Sequence, residues 1–218
     1  QQEPRLVVHY AALQNLYGVD EVLEAYKKGD ADFHTIVADM AEIPRDQAKT
    51  INLGLFYGMG KNKLQAELGV SKDKADDLFK QYHNKVPFVK RLMDNVMNRG
   101  QERGQIRTLL GRLCRFHLWE PTQFGIHKPL PHDAALQEHG PGIKRAYTYK
   151  ALNRLIQGSA ADMTKKAMIE LYKEGITPHI QVHDELDISV SDNANKIKEI
   201  MENAVSLEVP NKVDYESG

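Results

Sequence analysis

The spacing of apolar residues predicts mainly helices in the first half of the chain. Residues 20–41 have a helical pattern with a break at 29–30, and residues 45–57 form the next helix, whose first turn tolerates Pro44. The exception is the β-branched and aromatic run at residues 6–10, where periodicity alone cannot decide between a strand end and a helix start. We expect this run to finish a strand.

Helix signals continue through the middle of the chain. Ser71 gives half a capping box, and residues 73–101 predict two helices, mostly scaffold, that are broken at Val86-Pro87. Residues 147–174 have a strong helical pattern, which Gly175 can end because glycine adopts the left-handed conformation easily.

Two segments depart from the helical pattern. Residues 116–142 are rich in Pro and Gly, so we expect a long irregular insertion whose four histidines are surface residues rather than metal ligands. Residues 176–190 alternate instead, with their apolar positions on one parity. This alternation predicts a hairpin whose turn holds Asp184 and Glu185.

The composition is that of an ordinary soluble globular protein. A chain of 218 residues with 41% hydrophobic content can bury a sizeable core, in one large domain or two smaller ones. Lys and Arg number 29 against 30 Asp and Glu, a formal net charge of -1. This balance lacks the global basic signal of a small nucleic-acid-binding module, so any binding to DNA must rest on local patches.

Several classes of protein are excluded or disfavoured by what the sequence lacks. No apolar run is long enough to cross a bilayer and no signal peptide is visible, so we expect a cytoplasmic compartment and no membrane partner. Cys114 is the single cysteine, which excludes an internal disulfide. The scattered histidines offer no standard structural zinc spacing.

The helix at residues 45–57 carries candidate phosphate-binding chemistry. At about 100° per residue one side is apolar, and the other side presents Arg45, Lys49, Leu53 and Tyr57. The two cations are about 6 Å apart by helical rise, and an Arg fork and a Lys point charge both suit phosphate oxygens. An Arg-Lys pair by itself is more often a solvated basic face, so the surrounding sequence has to decide.

Residues 44–60 as a whole resemble the fingers-helix motif of the family A (DNA polymerase I-like) DNA polymerases. In that motif an Arg, a Lys four positions later and a Tyr-Gly eight beyond that recur. The resemblance implies that Arg45 and Lys49 bind the triphosphate of the incoming nucleotide and serve catalysis. It also implies that Tyr57 stacks near the templating base, and that Leu53, where Phe or Tyr is usual, contacts the nucleotide sugar.

The His183-Asp184-Glu185 segment lies between two apolar runs. A single Asp in such a place is usually only a turn former. Here the segment resembles the palm hairpin of the same polymerases, whose Asp binds magnesium. The resemblance implies that Asp184 is a Mg²⁺ ligand with secondary support from Glu185, and that His183 lies near the primer terminus.

Asn153 and Gln157 share one face of the helix predicted at residues 147–174. Two amides on a helix more often face solvent than serve a function. In this setting they resemble the minor-groove readers of the family, which bind acceptors present in every Watson-Crick pair.

The opening residues 1–5 resemble the tail of the family's first palm motif. The resemblance implies that Glu3 excludes a ribose 2′-hydroxyl, while the motif's metal-binding Asp would stand before residue 1. We therefore expect a fragment that is inactive alone and lacks an upstream thumb and a possible exonuclease domain. Further residues fit the family's helix-loop segment between these motifs: Tyr26, Gly29, Asp30, Asp32, His34 and Thr35.

The resemblance covers nearly the whole chain and implies an α+β fold, an antiparallel palm sheet with helices plus mostly helical fingers. We expect palm at residues 1–11, fingers at 12–110 and palm at 111–218, with the irregular insertion at about 117–145. The opening residues and the insertion look phage-like.

The expected function is template-directed DNA synthesis from deoxynucleoside triphosphates on primer-template DNA by a two-Mg²⁺ mechanism. One alternative is a single-subunit RNA polymerase, against which Glu3 and the run at residues 157–162 argue. The other is a non-catalytic nucleotide- or DNA-binding module, which the missing Asp keeps open.

Overall fold

The computed structural model describes residues 2–29, 32–189 and 193–216. Helices make up most of it: α1 Gln2–Leu13, α2 Asp20–Lys27, α3 Phe33–Ala41, α4 Arg45–Phe56, α5 Lys61–Leu68, α6 Lys72–Lys85, α7 Pro87–Arg103, α8 His132–His139, α9 Ala151–Lys173 after a 3-10 turn at Thr148–Lys150, and α10 Ala194–Asn203. The strands are short: β1 Gln105–Arg107, β2 Leu113–Arg115, β3 Leu118–Pro121, β4 Leu130–Pro131, β5 Ile143–Arg145, β6 Ile180–Val182 and β7 Glu185–Asp187. They form three small antiparallel sheets, β1-β2, β4-β3-β5 and β6-β7.

Local capping signals set the ends of the helices that the sequence predicted. The Ser71 hydroxyl accepts a hydrogen bond of 3.3 Å from the Lys74 amide at the start of α6. Pro87 opens α7, where its missing N–H costs nothing. Gly175 has a positive φ of 75° directly after α9. The predictions for α4, α6, α7 and α9 are confirmed.

The prediction of a strand end at residues 6–10 is wrong, because this run lies inside α1. Leu6, Val7 and Val8 are fully buried, since α1 packs against α2, α7 and α9. A helix buried on most sides is apolar on most sides, so it loses the 3.6-residue pattern that would mark it. Tertiary packing here overrides the strand propensity of the β-branched residues.

The prediction of an irregular insertion at residues 116–142 is also wrong. About half of this segment folds as β3, β4 and α8. Strand β3 pairs with β4 and with β5, which directly follows the segment, and α8 packs against this sheet. Within the sheet, the Arg145 guanidinium lies 4.5 Å from the centre of the Trp119 ring. Arg145 Nε also donates to the Gln101 carbonyl of α7 at 3.0 Å, which ties the sheet to the helices. Strands of two to four residues are too short for an alternating pattern to register.

One apolar core joins the helices that surround the cleft described below. Phe33 of α3 packs against Phe56 of α4 and Phe88 of α7, with ring centres 5.5 and 6.3 Å apart. These contacts fix the buried side of α4 and leave its other side to line the cleft. In the described part of the chain, no helix is long and apolar enough to span a membrane.

Candidate functional site

A cleft of about 530 Å³ lies where α1, α3, α4 and α9 meet the turn of the β6-β7 hairpin. Its walls combine side chains that are far apart in sequence: Gln2, Glu3, Pro4, His34, Lys49, Leu53, Gln157, Ala160, Ala161, Thr164, His183 and Asp184. Six residues predicted from the sequence therefore share one cleft: Glu3, Lys49, Leu53, Gln157, His183 and Asp184.

Helix α4 supplies Lys49 and Leu53 to the cleft because its opposite side is buried. Ala48, Ile51 and Leu55, which the helical pattern assigned to the apolar face, are at most 4% exposed. The helix is followed by a sharp turn in which the Met59 amide donates to the Gly54 carbonyl at 2.8 Å. A Cβ at position 54 would lie 2.2 Å from the Met59 methyl group, so a larger residue at this position would displace the flexible Met59 side chain.

Arg45 lies outside the cleft wall and pairs with Asp32. Its Nε and Nη2 are 2.7 and 2.6 Å from one Asp32 carboxylate oxygen. Asp32 also caps α3 by accepting hydrogen bonds from the His34 amide and the Thr35 hydroxyl, both at 3.1 Å. Partial burial alone would raise the pKa of Asp32, but these hydrogen bonds outweigh it and lower the pKa.

Tyr57 lies at the end of α4, beside Glu3 and Gln157. Burial raises the pKa of its hydroxyl, the neighbouring Glu3 carboxylate raises it further, and Gln157 lowers it. The hydroxyl is buried and makes no hydrogen bond of standard length within the ranges that the structure describes. It therefore stands next to two of the groups that line the cleft without being fixed by either.

The predicted hairpin is confirmed, but its two-residue turn consists of His183 and Asp184. The prediction that the turn also holds Glu185 is wrong, because Glu185 is already the first residue of β7. His183 has a φ of +54°, which is uncommon for a residue with a side chain but less so for His. Glu185, on the exposed strand β7, pairs with Val182 of β6 and does not line the cleft. Paired residues share a face of the hairpin, and Leu186 pairs with Gln181 rather than with Val182. Leu186 and Val182 therefore face opposite sides, although both have even numbers.

Helix α9 lines the cleft with Gln157 and with small residues three, four and seven positions later. Asn153, one turn earlier, is partly buried and does not reach the cleft wall. On another side of the helix, the Ser159 hydroxyl bonds the Tyr10 hydroxyl at 2.7 Å and the Leu109 amide at 3.0 Å.

The buried Asp162 carboxylate, 7% exposed, accepts from Arg112 Nε at 3.1 Å and the Leu110 amide at 3.2 Å. The Asp162 contacts fix α9 to the β1-β2 turn, and the Ser159–Tyr10 bond fixes it to α1. Neither contact was assigned a role from the sequence.

His34 is a wall residue to which the sequence assigned no function. It was placed only in a helix-loop segment, and its position beside Lys49 depends on how α3 folds back on α4. Its Nδ1 lies 2.9 Å from the amide nitrogen of the buried Asn52.

A metal ion would find few protein ligands in this cleft by itself. Within residues 2–29, 32–189 and 193–216, no three His, Cys, Asp or Glu side chains are close enough to hold a metal ion together. Glu3 and Asp184 are the carboxylates that line the cleft wall as described.

Comparisons with known proteins identify the family to which the chain belongs. The family profile described as DNA polymerase family A matches residues 1–218. A DNA-directed DNA polymerase of Pseudomonas phage M6 is 35% identical over 100% of this chain and 36% of that protein. A DNA polymerase I of Bacillus caldotenax is 32% identical over 100% of this chain and 24% of that protein.

Among solved structures, the POL domain of Pol1 from M. smegmatis, in complex with DNA primer-template and dNTP, has a TM-score of 0.72 and 28% identity. The match covers 96% of this chain and 36% of the M. smegmatis chain. The chain thus spans only 24–36% of the length of these relatives. Because the family profile and both curated relatives match it from end to end, the chain belongs to DNA polymerase family A.

Proposed function

We propose that this chain forms the nucleotide-binding part of a template-directed DNA polymerase, with residues 12–110 as fingers and the flanking residues as palm. The primer 3′-oxygen attacks the α-phosphorus of a deoxynucleoside triphosphate, a new phosphodiester bond forms, and pyrophosphate leaves. The supporting observation is the single cleft that joins Lys49 and Leu53 of α4, Gln157 of α9 and Asp184 of the hairpin. The M. smegmatis relative carries primer-template DNA and dNTP, which supports these partners.

In this proposal the triphosphate lies along α4. Lys49 donates to its non-bridging oxygens and neutralises the charge that grows on the leaving pyrophosphate. Arg45 is one helical turn away, and it joins the triphosphate by exchanging the Asp32 carboxylate for a phosphate. This exchange keeps the guanidinium paired before and after the nucleotide binds.

Magnesium fits the donors that the cleft offers. Mg²⁺ is bound in such sites by one or two carboxylates together with substrate phosphates, so a three-residue protein cluster is not required. Asp184 is exposed in the turn and lines the cleft, whereas Glu185 on β7 would be an outer partner. When bound, the ion supplies activation of the primer hydroxyl and neutralisation of phosphate charge.

The remaining predicted residues select the sugar and the duplex. Glu3 excludes a ribose 2′-hydroxyl and Leu53 contacts the sugar, while Tyr57 stacks near the templating base. The amides of Asn153 and Gln157 test the minor groove of the new base pair. His183 stands near the primer terminus.

Single-turnover primer extension by the complete reading frame that contains this chain tests the proposal. Lys49→Ala should lower the rate by about a hundredfold or more, as loss of a transition-state charge contact does. The control is Lys63→Ala, since Lys63 is an exposed lysine of the neighbouring helix α5 and does not line the cleft. A Lys49→Ala rate that equals the Lys63→Ala rate would contradict the triphosphate assignment.

A further inference from the structure

A buried polar pair lies directly behind the cleft, between α3 and α4. Asn52 is 0% exposed and His34 is 1% exposed, and Asn52 Nδ2 lies 2.9 Å from His34 Nδ1. The Asn52 Oδ1 is buried and has no hydrogen-bond partner in the described ranges. Burying an amide with an unsatisfied oxygen costs stability, so the contact with His34 calls for a reason other than stability.

The contact fixes the tautomer of the imidazole. The amide nitrogen of Asn52 can only donate, so His34 Nδ1 accepts and the proton of the neutral ring is on Nε2. Burial lowers the pKa of His34, and the Arg45 and Lys49 charges lower it further, while Asp32 raises it. The ring is therefore neutral near pH 7, where its tautomer decides whether Nε2 donates or accepts.

Nε2 is the ring nitrogen of His34 that is available to a ligand in the cleft. Nδ1 is committed to Asn52, and His34 lines the cleft next to Lys49 and Leu53. Nε2 makes no hydrogen bond within the ranges that the structure describes. An N–H at this place can donate to a phosphate oxygen, whereas a bare nitrogen lone pair would repel the same oxygen.

We propose that Asn52 is a positioning residue that holds His34 in the Nε2–H tautomer, so that the ring donates to the polyphosphate of a nucleotide in the cleft. The inference rests on the proposed function and adds to it a residue that touches no substrate. Asn52 acts through His34 alone.

The tautomer can be measured directly on the 218-residue chain. Two-bond ¹H–¹⁵N correlation spectra of ¹⁵N-labelled protein, with His34 assigned from the His34→Gln variant, should show a protonated Nε2 and an unprotonated Nδ1. Asn52→Leu, which keeps the approximate volume but donates nothing, should give a mixture of tautomers. The wild-type spectrum needs no substitution, so a protonated Nδ1 would overturn the proposal even if Asn52→Leu failed to fold.

A double-substitution cycle separates positioning from general damage to the fold. Calorimetric affinity for inorganic tripolyphosphate with Mg²⁺ should fall about three- to tenfold in Asn52→Leu, the value of one hydrogen bond. In the His34→Gln background, Asn52→Leu should cause no further loss. Additive losses would overturn the role of Asn52 while leaving the cleft's function intact. No binding by the wild-type chain would contradict the proposed function itself, and with it the phosphate contact of His34.

Discussion

At the level of single residues, the cleft's affinity for an anion depends on which of its cationic side chains already pair with a carboxylate. Lys49 lines the cleft, whereas Arg45 is held at its edge by Asp32 through contacts of 2.6 and 2.7 Å. Both partners are partly exposed, so solvent screens the pair and keeps it weak enough to exchange. In the proposed function a polyphosphate competes with Asp32 for the Arg45 guanidinium.

We expect Asp32→Asn to strengthen anion binding. The substitution removes the competing charge, while Asn can still cap α3. Exposed ion pairs contribute about 0.2–1 kcal/mol, so affinity for tripolyphosphate should rise by roughly one-and-a-half- to fivefold. Calorimetry on the 218-residue chain measures this, and Asp39→Asn, at an exposed position of the same helix, is the control. Equal affinities for the two variants would show that Asp32 does not compete with the anion.

At the scale of elements, α9 is positioned by its very close approach to the β1-β2 hairpin. A Cβ at Gly158 would lie 2.7 Å from the Thr108 methyl group, and Arg112 Nη2 donates to the Gly158 carbonyl at 2.7 Å. The missing side chain of Gly158 therefore determines how α9 meets the hairpin. Gln157, which lines the cleft, is the adjacent residue.

Gly158→Ala should destabilise the chain even though alanine favours helices by about 1 kcal/mol relative to glycine. The clash with Thr108 should outweigh that preference and leave a net loss of about 1–2 kcal/mol. Adding Thr108→Ser removes the methyl group and keeps the hydroxyl, so the double variant should recover most of the loss. Urea unfolding measures all three variants. A stabilised Gly158→Ala chain would mean that the approach is looser than described.

The C-terminal segment is tied to α1 by a buried histidine. His9 is 5% exposed, and its Nδ1 accepts from the Glu208 amide at 3.1 Å. Burial lowers the pKa of His9, although the Glu208 charge partly opposes this. The folded chain therefore binds fewer protons at His9 than the unfolded chain does.

The sign of this difference predicts how stability changes with pH. As pH falls through the unfolded value of 6.5, the unfolded state takes up the proton first and stability is lost, until the lower folded pKa is passed. The melting temperature should therefore fall more for wild type than for His9→Gln when the pH is lowered from about 7.5 to about 5.5. These two values bracket an ordinary histidine pKa of about 6.5. The exposed His117→Gln is the control and should follow wild type. A wild-type curve parallel to that of His9→Gln would contradict the assignment.

Sequence reasoning succeeded where local rules decide and failed where packing does. The charged and apolar sides of α4, the caps of α6 and α7 and the β6-β7 hairpin follow from periodicity and turn chemistry. The buried run in α1 and the short strands β3 to β5 could not be predicted, because complete burial and short length erase the pattern. The contact between His34 and Asn52 depends on the packing of two helices, which no single segment encodes.

At the scale of the whole molecule, the fold brings together chemistry from the beginning, middle and end of the chain. Glu3 comes from α1, Lys49 from α4, Gln157 from α9 and Asp184 from a hairpin turn, and all four line one cleft. One continuous apolar core beneath α1, α4 and α9 holds these three helices together. The central claim is that this cleft is where nucleotides are joined to the primer.

The most direct test compares two aspartates of one hairpin. Asp184 lines the cleft from the turn, whereas Asp187 is exposed on β7, pairs with Ile180 and does not line the cleft. Single-turnover incorporation of one dNTP, measured in the complete reading frame, should fall by about a hundredfold or more in Asp184→Asn, because an amide keeps the shape but loses the charge for Mg²⁺. Asp187→Asn should stay within about twofold of wild type, as surface substitutions usually do. Equal rates for the two variants would contradict the claim that this cleft carries out the reaction.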